Sequence, residues 1–379
     1  MDIEDTLLMI PGPVKVPNRV LRAMSKPMIS HRSADFEKIF DECLSLLQEL
    51  FLTKNDVVVL SGSGTSGMEA AVGGIIGKDD KIVTITNGKF GERFTELGDR
   101  YGTAIPIDFP WGTPFQLDEI EAALGEGVTA VSMVHNETSV GMMNPAKEVG
   151  KLAHKYDAIF IVDGISSVGG NEFLTDEWGV DIAITGSQKC LAVPPGLAMV
   201  TVSEKAEEML EDGKGGYYTD LKAHLKSAKK GQTPYTPAVS LFYALQEALH
   251  MAMEEGFSER RDRVSKLSEG VRQAMAALEI ELFPQLDQYS SYSNTVTAMR
   301  MPQGITDSQL RGGMRARGVV VSGGQASLKG NIFRIGTMGV CTEADVLRTI
   351  QTLELVLEKE GVIDSIGTGI EAASKAIES

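Results

Sequence analysis

Short apolar segments alternate with stretches of helical character along the first half of the chain, and this alternation limits the possible folds more than any other feature. The segments are apolar almost throughout: Asp56–Leu60, Lys81–Ile85, Thr129–Val134, Ala158–Val162, Asp181–Thr185 and Leu197–Val202. Strands without polar alternation are typical of a parallel sheet covered by helices on both faces. The pattern therefore predicts an α/β fold, and the turn Pro194–Gly196 predicts that the last of these strands lies beside the one before it.

A second region follows after about residue 237. Val239–Leu278 has helical character interrupted only by Gly256 and Gly270, and beyond it strands and helices alternate irregularly. The candidates are strands at Asn294–Met301, Val319–Ser322 and Asn331–Ile335, and helices at Asp307–Arg317 and Glu343–Glu360, with Ile370–Ile377 either a terminal helix or a frayed tail. Because 379 residues exceed the roughly 250–300 at which a single core stops growing, two domains are expected. We predict a large domain at 16–255 and a smaller α+β domain formed by 256–379 with the N-terminal segment 1–15.

Charge and cysteine content exclude several classes of protein. The formal net charge of −16 is spread along the chain, which disfavours nucleic-acid and anionic-membrane partners because these need a basic patch. The acidic N-terminus lacks the features of a secretory signal, and no apolar run approaches the roughly 20 residues of a membrane span, so a cytoplasmic protein is expected. Three widely spaced cysteines, Cys43, Cys190 and Cys341, suggest neither a disulfide framework nor a metal site.

A run of small residues, Ser61–Gly67, follows the first apolar segment and begins a helical stretch. Small side chains let the N–H groups of a helix N-terminus approach a phosphate, and the Ser and Thr hydroxyls of the run add donors. Its glycines also satisfy the G-x-G-x-x-G dinucleotide fingerprint, which expects an acid near the end of the next strand, where the chain has Ile85–Gly88 instead. We favour a phosphate cradle over a dinucleotide loop or a turn without a ligand.

A carboxylate and an amine stand at the ends of two successive apolar segments. Asp163 follows Phe160–Val162, and Lys189 follows the next segment and precedes apolar residues 190–193. Burial of an acid is unfavourable unless it is paired, and desolvation lowers the pKa of a lysine and makes its amine nucleophilic. Taken singly, Asp163 could be a helix cap and Lys189 an exposed lysine. Together they could hold opposite ends of one aromatic cofactor, with Lys189 on an aldehyde carbon and Asp163 on a protonated pyridine nitrogen.

Two other strand ends carry side chains suited to a planar ring. Thr138, within Val134–Ser139, is placed to donate to a ring hydroxyl of the cofactor. His135 could pack on the same ring, although a single histidine more often belongs to the core. Phe90, within Asn87–Gly91, could lie against the ring or be a core residue.

Short motifs carry a resemblance that extends nearly from one end of the chain to the other: Met9–Pro13, Ser63–Thr65, Asn87–Gly91, His135–Thr138, Asp163–Ser167, Gly186–Lys189, Thr233–Pro237 and Phe333–Gly336. In this order they resemble the fold type I, class V aminotransferases, which use pyridoxal 5′-phosphate (PLP), and among them the alanine-glyoxylate and serine-pyruvate aminotransferase branch. The resemblance implies a large domain with a mostly parallel seven-stranded sheet covered by helices and a smaller C-terminal α+β domain. It also implies a homodimer with each active site at the subunit interface.

The resemblance implies roles for individual residues. Lys189 would carry PLP as a Schiff base, and Asp163 would pair with the pyridinium nitrogen. Arg334 would bind the substrate α-carboxylate, and Pro11 and Gly12 would line the substrate mouth. The remaining cofactor-binding residues would hold the phosphate or flank the ring, with the last two reaching over from the partner subunit: Ser63, Gly64, Thr65, Phe90, Thr138, Gln188, Tyr235 and Thr236. Thr65 stands where some relatives carry His, a departure that bears on the phosphate geometry.

The implied reaction moves an amino group from a small amino acid (alanine, serine or aspartate) to a 2-oxo acid (glyoxylate, pyruvate or 2-oxoglutarate) by a ping-pong mechanism. The nearest alternative is a PLP-dependent lyase of the cysteine desulfurase kind. Desulfurases need a nucleophilic Cys ahead of the carboxylate-binding arginine, whereas here Cys341 follows Arg334 and Cys190 adjoins the lysine. A nucleotide-dependent oxidoreductase is a further alternative. Arg32 and Arg93 stay open as ligands for a substrate side-chain carboxylate.

Overall fold

Residues 6–379, which the computed structural model describes, form strands in three sheets and helices that cover them. The strands are β1 (Leu7–Met9), β2 (Asp56–Ser61), β3 (Lys81–Thr86), β4 (Thr103–Asp108), β5 (Ala130–Val134), β6 (Asn136–Glu137), β7 (Met142–Met143), β8 (Ile159–Asp163), β9 (Ile182–Gly186), β10 (Leu197–Val202), β11 (Ser291–Tyr292), β12 (Val296–Arg300), β13 (Val319–Gly323) and β14 (Ile332–Gly336). The helices are α1 (Asn18–Ala23), α2 (Ala34–Phe51), α3 (Gly64–Ile75), α4 (Lys89–Tyr101), α5 (Leu117–Leu124), α6 (Ala146–Lys155), α7 (Glu204–Met209), α8 (Leu221–Ala228), α9 (Val239–Glu255), α10 (Phe257–Ala277), α11 (Asp307–Ala316), α12 (Glu343–Lys359) and α13 (Thr368–Glu378).

The largest sheet has seven strands in the order β2-β10-β9-β8-β5-β3-β4. Only β10 runs antiparallel to its neighbours, so the sheet is mostly parallel, as predicted. All six predicted apolar segments are strands of this sheet, and β10 lies beside β9. The prediction missed β4, an edge strand that is half exposed and contains Pro106. A proline and a half-polar pattern are both typical of an edge, where no hydrophobic run is needed.

Alternate residues of the central strands contribute to two separate cores. In β2, Val57 and Val59 pack with helix α2 and its surroundings on one face, whereas Val58 and Leu60 pack with α3 on the other. Both faces of the large sheet are therefore buried. This explains why the strand sequences show no polar alternation, because successive side chains point to opposite faces of a sheet.

The second sheet has the order β1-β13-β14-β12 and carries its own core against α10, α11 and α12. The predicted strands of this region correspond to β12, β13 and β14. Strand β1 was not predicted; it pairs in parallel with Val319–Val321 of β13. The N-terminal segment thus joins this sheet from residue 7 onward, while residues 1–5 of the predicted segment 1–15 lie outside the described residues. The division into 16–255 and 256–379 stays a prediction.

The long helical stretch of the sequence is two helices. Gly256 has a φ of 92° and separates α9 from α10. Gly270 remains helical, and a Cβ there would lie 2.6 Å from Ile377 of α13. The second glycine therefore lets the C-terminal helix pack closely on α10. The segment Ile370–Ile377 is accordingly part of a docked helix and not a frayed tail.

Within residues 6–379, no helix is both long enough and apolar enough to cross a membrane. The same part of the chain has no group of three or more His, Cys, Asp or Glu side chains placed to hold a metal ion. All three cysteines are buried and free.

Candidate active site

A cavity of about 110 Å³ opens at the carboxyl ends of the parallel strands. This is where ligands bind in open α/β sheets. Eight of the predicted site residues line it: Ser63, Gly64, Thr65, Phe90, Thr138, Asp163, Gln188 and Lys189. The other lining residues are Arg93, Val134, Asn136, Ile165 and Ser166. The predicted residues Pro11, Gly12, Tyr235, Thr236 and Arg334 are not among those that line it.

The small-residue run forms the N-terminus of α3, with Ser63 as the extended residue before the first turn. A Cβ at Gly64 would overlap the side chain of Ile165, which lines the same cavity. The glycine thus brings the start of the helix against the cavity wall. The first N–H groups of a helix have no partner within it and carry partial positive charge, so this end of the cavity suits an anion such as a phosphate.

Asp163 ends β8 and is buried at 4% exposure. Its Oδ1 accepts a hydrogen bond from the Ile165 N–H at 2.7 Å, and no cation in residues 6–379 forms an ion pair with it. Burial raises the pKa of this carboxyl to about 7, although the bond from Ile165 opposes the shift. A carboxylate in this condition lacks the cationic partner that would stabilise its charge.

Lys189 lies in the same cavity, three residues beyond β9. Its Nζ donates to the carbonyl of Pro11, and burial lowers the pKa of the amine while Asp163 opposes that shift. Gly12, with a φ of 102°, packs directly on the lysine, and a Cβ there would lie 2.7 Å from Lys189 Cδ. The predicted mouth residues Pro11 and Gly12 therefore touch the lysine itself. Desolvation increases the neutral, nucleophilic fraction of an amine.

Glu137 is a buried residue for which no individual role was predicted. Its buried carboxylate accepts hydrogen bonds from the N–H groups of Phe90, Gly91 and Ser139 at 2.9, 3.1 and 3.0 Å, and from the Ser139 hydroxyl at 2.5 Å. Burial raises its pKa, and these bonds oppose the shift. A side chain at Gly88 would overlap it. Glu137 thus binds the first turn of α4, which carries Phe90, to the loop that carries Thr138.

Arg334, on β14, reaches from the second sheet toward the first. Its Nε and Nη2 donate to the carbonyl of Gly323 at 3.1 and 2.8 Å, and its Nη1 donates to the carbonyl of Thr138 at 2.7 Å. Burial lowers the pKa of the guanidinium to about 10, so it is charged at neutral pH. A guanidinium has five N–H groups, so these three bonds leave about two for a further acceptor.

The loop with Tyr235 and Thr236 lies apart from the cavity. The Tyr235 hydroxyl donates to the carbonyl of Tyr217 at 2.7 Å, and its ring stacks on Tyr218 with centroids 5.4 Å apart. Thr236 is exposed. Arg32 donates to the side chain of Gln232 and to the carbonyls of residues 233 and 234, so it supports this loop.

His135 belongs to the core. Its ring meets the edges of Phe173 and Trp178 at centroid distances of 5.3 and 5.1 Å. Burial lowers its pKa to about 3, which leaves the imidazole neutral. His135 does not line the cavity, so of the two possibilities the structure supports the core position.

The cavity walls present polar atoms without partners. Asn136 Oδ1 and Gln188 Oε1 are buried and unbonded within the described chain. Together with the unpaired Asp163 carboxylate and the Lys189 amine, they form a donor and acceptor set suited to a flat, polar, positively charged ring that carries an aldehyde. PLP has these features, and its phosphate matches the N-terminus of α3.

The mostly parallel seven-stranded sheet, the second α/β unit and the lysine at the strand ends define a transferase of the PLP fold type I class. The chain belongs to the class-V aminotransferase family, whose family model matches residues 8–347. It is 44% identical to an uncharacterized aminotransferase of Methanocaldococcus jannaschii, over 100% of this chain and 99% of that protein. It is 33% identical to a serine–glyoxylate aminotransferase of Methylorubrum extorquens, over 97% of this chain and 94% of that protein.

A solved structure shows the same architecture. The ureidoglycine–glyoxylate aminotransferase of Bacillus subtilis superimposes with a TM-score of 0.91 at 32% identity, covering 99% of this chain and 98% of that one. The resemblance inferred from the motifs is thereby confirmed at the level of the family and the fold. The chain is an aminotransferase.

Proposed function

We propose that this enzyme is a PLP-dependent transaminase that moves the amino group of alanine, serine or aspartate to glyoxylate, pyruvate or 2-oxoglutarate. The observation that carries the proposal is the convergence of Lys189 and Asp163 in one cavity, the amine desolvated and the carboxylate unpaired. Relatives named as serine–glyoxylate and L-aspartate–glyoxylate aminotransferases support the substrate class. We further propose a cytoplasmic homodimer, as the family resemblance implies.

The cavity residues that the sequence predicted each have a task in this reaction. When bound, PLP supplies an aldehyde carbon for amine exchange and a ring that accepts electrons from the substrate. Asp163 would keep the ring nitrogen protonated, and the N-terminus of α3 with Ser63, Gly64 and Thr65 would hold the phosphate. Phe90, Thr138 and Gln188 line the same cavity, where Phe90 would pack on the ring and the other two would bind beside it.

Two residues act on the substrate. Arg334 offers its free N–H groups to the α-carboxylate, which fixes the amino acid in one orientation. The Lys189 amine takes the proton from the substrate Cα as general base and later returns a proton as general acid. Both tasks need burial, because water would compete for the carboxylate and would raise the pKa of the amine toward its ordinary value.

The cysteine positions disfavour a desulfurase. Cys341 is buried, donates to the carbonyl of Thr342, and burial raises its pKa to about 12. Cys190 is also buried, with its pKa raised to about 11. Neither thiol is a ready nucleophile, since reactivity needs an exposed, low-pKa thiolate.

The experiment that tests the proposal compares the wild type with Lys189→Ala. We expect wild-type protein mixed with PLP to develop a visible absorption band, and borohydride to fix the cofactor on Lys189. The variant should show no lysine-bound cofactor and negligible transamination from amino acid to 2-oxo acid. Lys151→Ala, an exposed lysine on α6, is the matched control and should behave like wild type. Near-normal transamination by Lys189→Ala, or sulfide release from cysteine by the wild type, would refute the assignment.

A further inference from the structure

Arg93 is the charged group of the cavity to which the proposed reaction assigns no task. It lies on α4, one turn beyond Phe90, and it lines the cavity. Its Nη1 donates to the hydroxyl of Thr65 at 3.0 Å, and its Cζ lies 5.3 Å from the centroid of the Phe90 ring. The guanidinium is thus held between the ring-stacking residue and the N-terminus of α3.

The surroundings of Arg93 favour the binding of an anion. Within residues 6–379 no Asp or Glu forms an ion pair with it. Its direct contacts are with a neutral hydroxyl and an aromatic ring, and the Asp163 carboxyl of the same cavity interacts with it only from beyond ion-pair distance. The helix N-terminus beside it carries about half a positive charge. Two positive groups at one end of a cavity are unfavourable together unless a negative group lies between them.

The charge of the cofactor matches this need. A phosphate monoester carries about −1.5 to −2 charges at pH 7. The cradle residues Ser63, Gly64 and Thr65 offer only neutral N–H and O–H donors. Two cations line the cavity, and Lys189 would bind the aldehyde carbon, so Arg93 is the cation that remains for the phosphate.

We propose that Arg93 binds the cofactor phosphate and that Thr65 positions it by accepting its N–H. The proposal rests on the proposed function. The proposal also gives the two arginines different ligands. Arg334, which donates to the carbonyls of Gly323 and Thr138, binds the substrate, and Arg93, which donates to Thr65, binds the phosphate. Arg93 is therefore a cofactor ligand, and a side-chain carboxylate of the substrate is not its partner.

The test measures binding to cofactor-free protein with two probes, PLP and pyridoxal, which lacks only the phosphate. We expect Arg93→Gln to raise the Kd for PLP about 10- to 100-fold, the usual range for a lost bond to a charged group, and to leave the Kd for pyridoxal within about twofold. Arg93→Lys keeps the charge, so its Kd for PLP should lie between those of the wild type and of Arg93→Gln. Arg100→Gln, at the other end of α4, is the control and should bind both probes as wild type does.

The remaining outcomes overturn the proposal in distinguishable ways. Equal losses for PLP and pyridoxal would mean that Arg93 shapes the ring pocket. An unchanged Kd for PLP with a KM raised for aspartate and not for alanine would make it a ligand of the substrate side chain. Failure of the wild-type protein to bind either probe would remove the proposed function itself, and this inference with it.

Discussion

Asp163 shows how one buried residue links stability to cofactor binding. Its carboxyl has a pKa of about 7, against an ordinary value near 3.8, because burial disfavours the charge. Between these two values the folded protein binds more protons than the unfolded chain. The free energy of unfolding therefore falls as the pH rises through that window, by up to about 4 kcal/mol in total. Bound PLP would offset this loss of stability, since its pyridinium would supply the cation that Asp163 lacks.

We therefore expect Asp163→Asn to be more stable than the wild type when no cofactor is bound. The amide keeps the shape and removes the charge. The Tm of the variant should therefore exceed that of the wild type by an amount that grows from pH 5 to pH 8. Added PLP should raise the Tm of the wild type more than that of the variant. Thermal unfolding at several pH values, with and without PLP, measures both effects.

Asp157→Asn is the matched control, because Asp157 is exposed and its ion pair with Lys205 lowers its pKa. Any pH-dependent difference there should have the opposite sign. A lead of Asp163→Asn that stays constant from pH 5 to pH 8 would contradict the account of its burial.

Some site residues could be predicted from the sequence because their position follows from strand periodicity alone. Asp163 and Lys189 are of this kind: each comes at or just after the end of a buried strand, and the ends of parallel strands meet. The role of Glu137 could not be predicted, and Arg93 was only an open candidate for a substrate carboxylate, because the contacts of both depend on how α4 packs on neighbouring elements. The strand that carries Arg334 was predicted, but the hydrogen bonds of Arg334 to the carbonyls of Gly323 and Thr138 depend on the packing of two separate sheets.

At the scale of elements, the C-terminal helix α13 packs on α10 and is capped by a buried acid of α12. Glu354 of α12 is fully buried, and its Oε1 accepts the N–H of Gly369 in the first turn of α13 at 2.7 Å. Its Oε2 is buried without a partner in the described chain. The bond supplies the cap that α13 lacks, since no side chain caps its N-terminus.

We expect Glu354→Ala to lower the free energy of unfolding by about 1–3 kcal/mol, because it leaves the Gly369 N–H buried and unbonded. Glu354→Gln keeps an acceptor oxygen and should lower it less. Urea unfolding gives the free energies, and hydrogen exchange should show α13 opening first in the alanine variant. Glu358→Ala, an exposed position on the same helix, should be neutral; an equal effect there would exclude a capping role for Glu354.

The elements that the sequence did not predict share a cause. Strand β1 is three residues long, and it is a strand only because Val319–Val321 pairs with it. The separation of α9 from α10 at Gly256 follows from a positive φ that a helical pattern does not reveal. Propensity specifies long periodic elements, whereas short or interrupted ones are specified by their neighbours.

At the scale of the whole molecule, the site is assembled from both sheets. Arg260 of α10 links the loop after β9, beside the lysine, to the loop after β14. Its Nη2 donates to the carbonyl of Cys190 at 2.6 Å and to that of Gly339 at 3.4 Å. Pro11, whose segment extends from β1, accepts the bond from Lys189. Pro11 and Gly12 thus pack on the lysine and shield part of its side chain from water.

Two of the predicted cofactor-binding residues do not line the cavity of their own chain. Thr236 is exposed and Tyr235 is bonded to Tyr217, and neither lines the cavity of its own subunit. If the partner subunit supplies Thr236 to the phosphate, Lys189 and Thr236 of one site come from different chains. Lys189→Ala and Thr236→Glu, which places a negative charge at the phosphate, should then each abolish the site for a different reason.

Co-refolding these two variants in equal amounts should restore activity. Random pairing makes about half of the dimers hybrid, and each hybrid has one site with an intact lysine and an intact partner threonine, so about a quarter of the wild-type sites return. Transaminase rate and visible PLP absorbance should recover together. The control pairs Lys189→Ala with Asp163→Asn, two residues of the same cavity, where a hybrid has no intact site and no recovery is expected. No recovery from Lys189→Ala with Thr236→Glu, or full activity of Thr236→Glu alone, would show that each subunit builds its site without its partner. Recovery in the control would contradict the placement of Lys189 and Asp163 in one cavity of one chain.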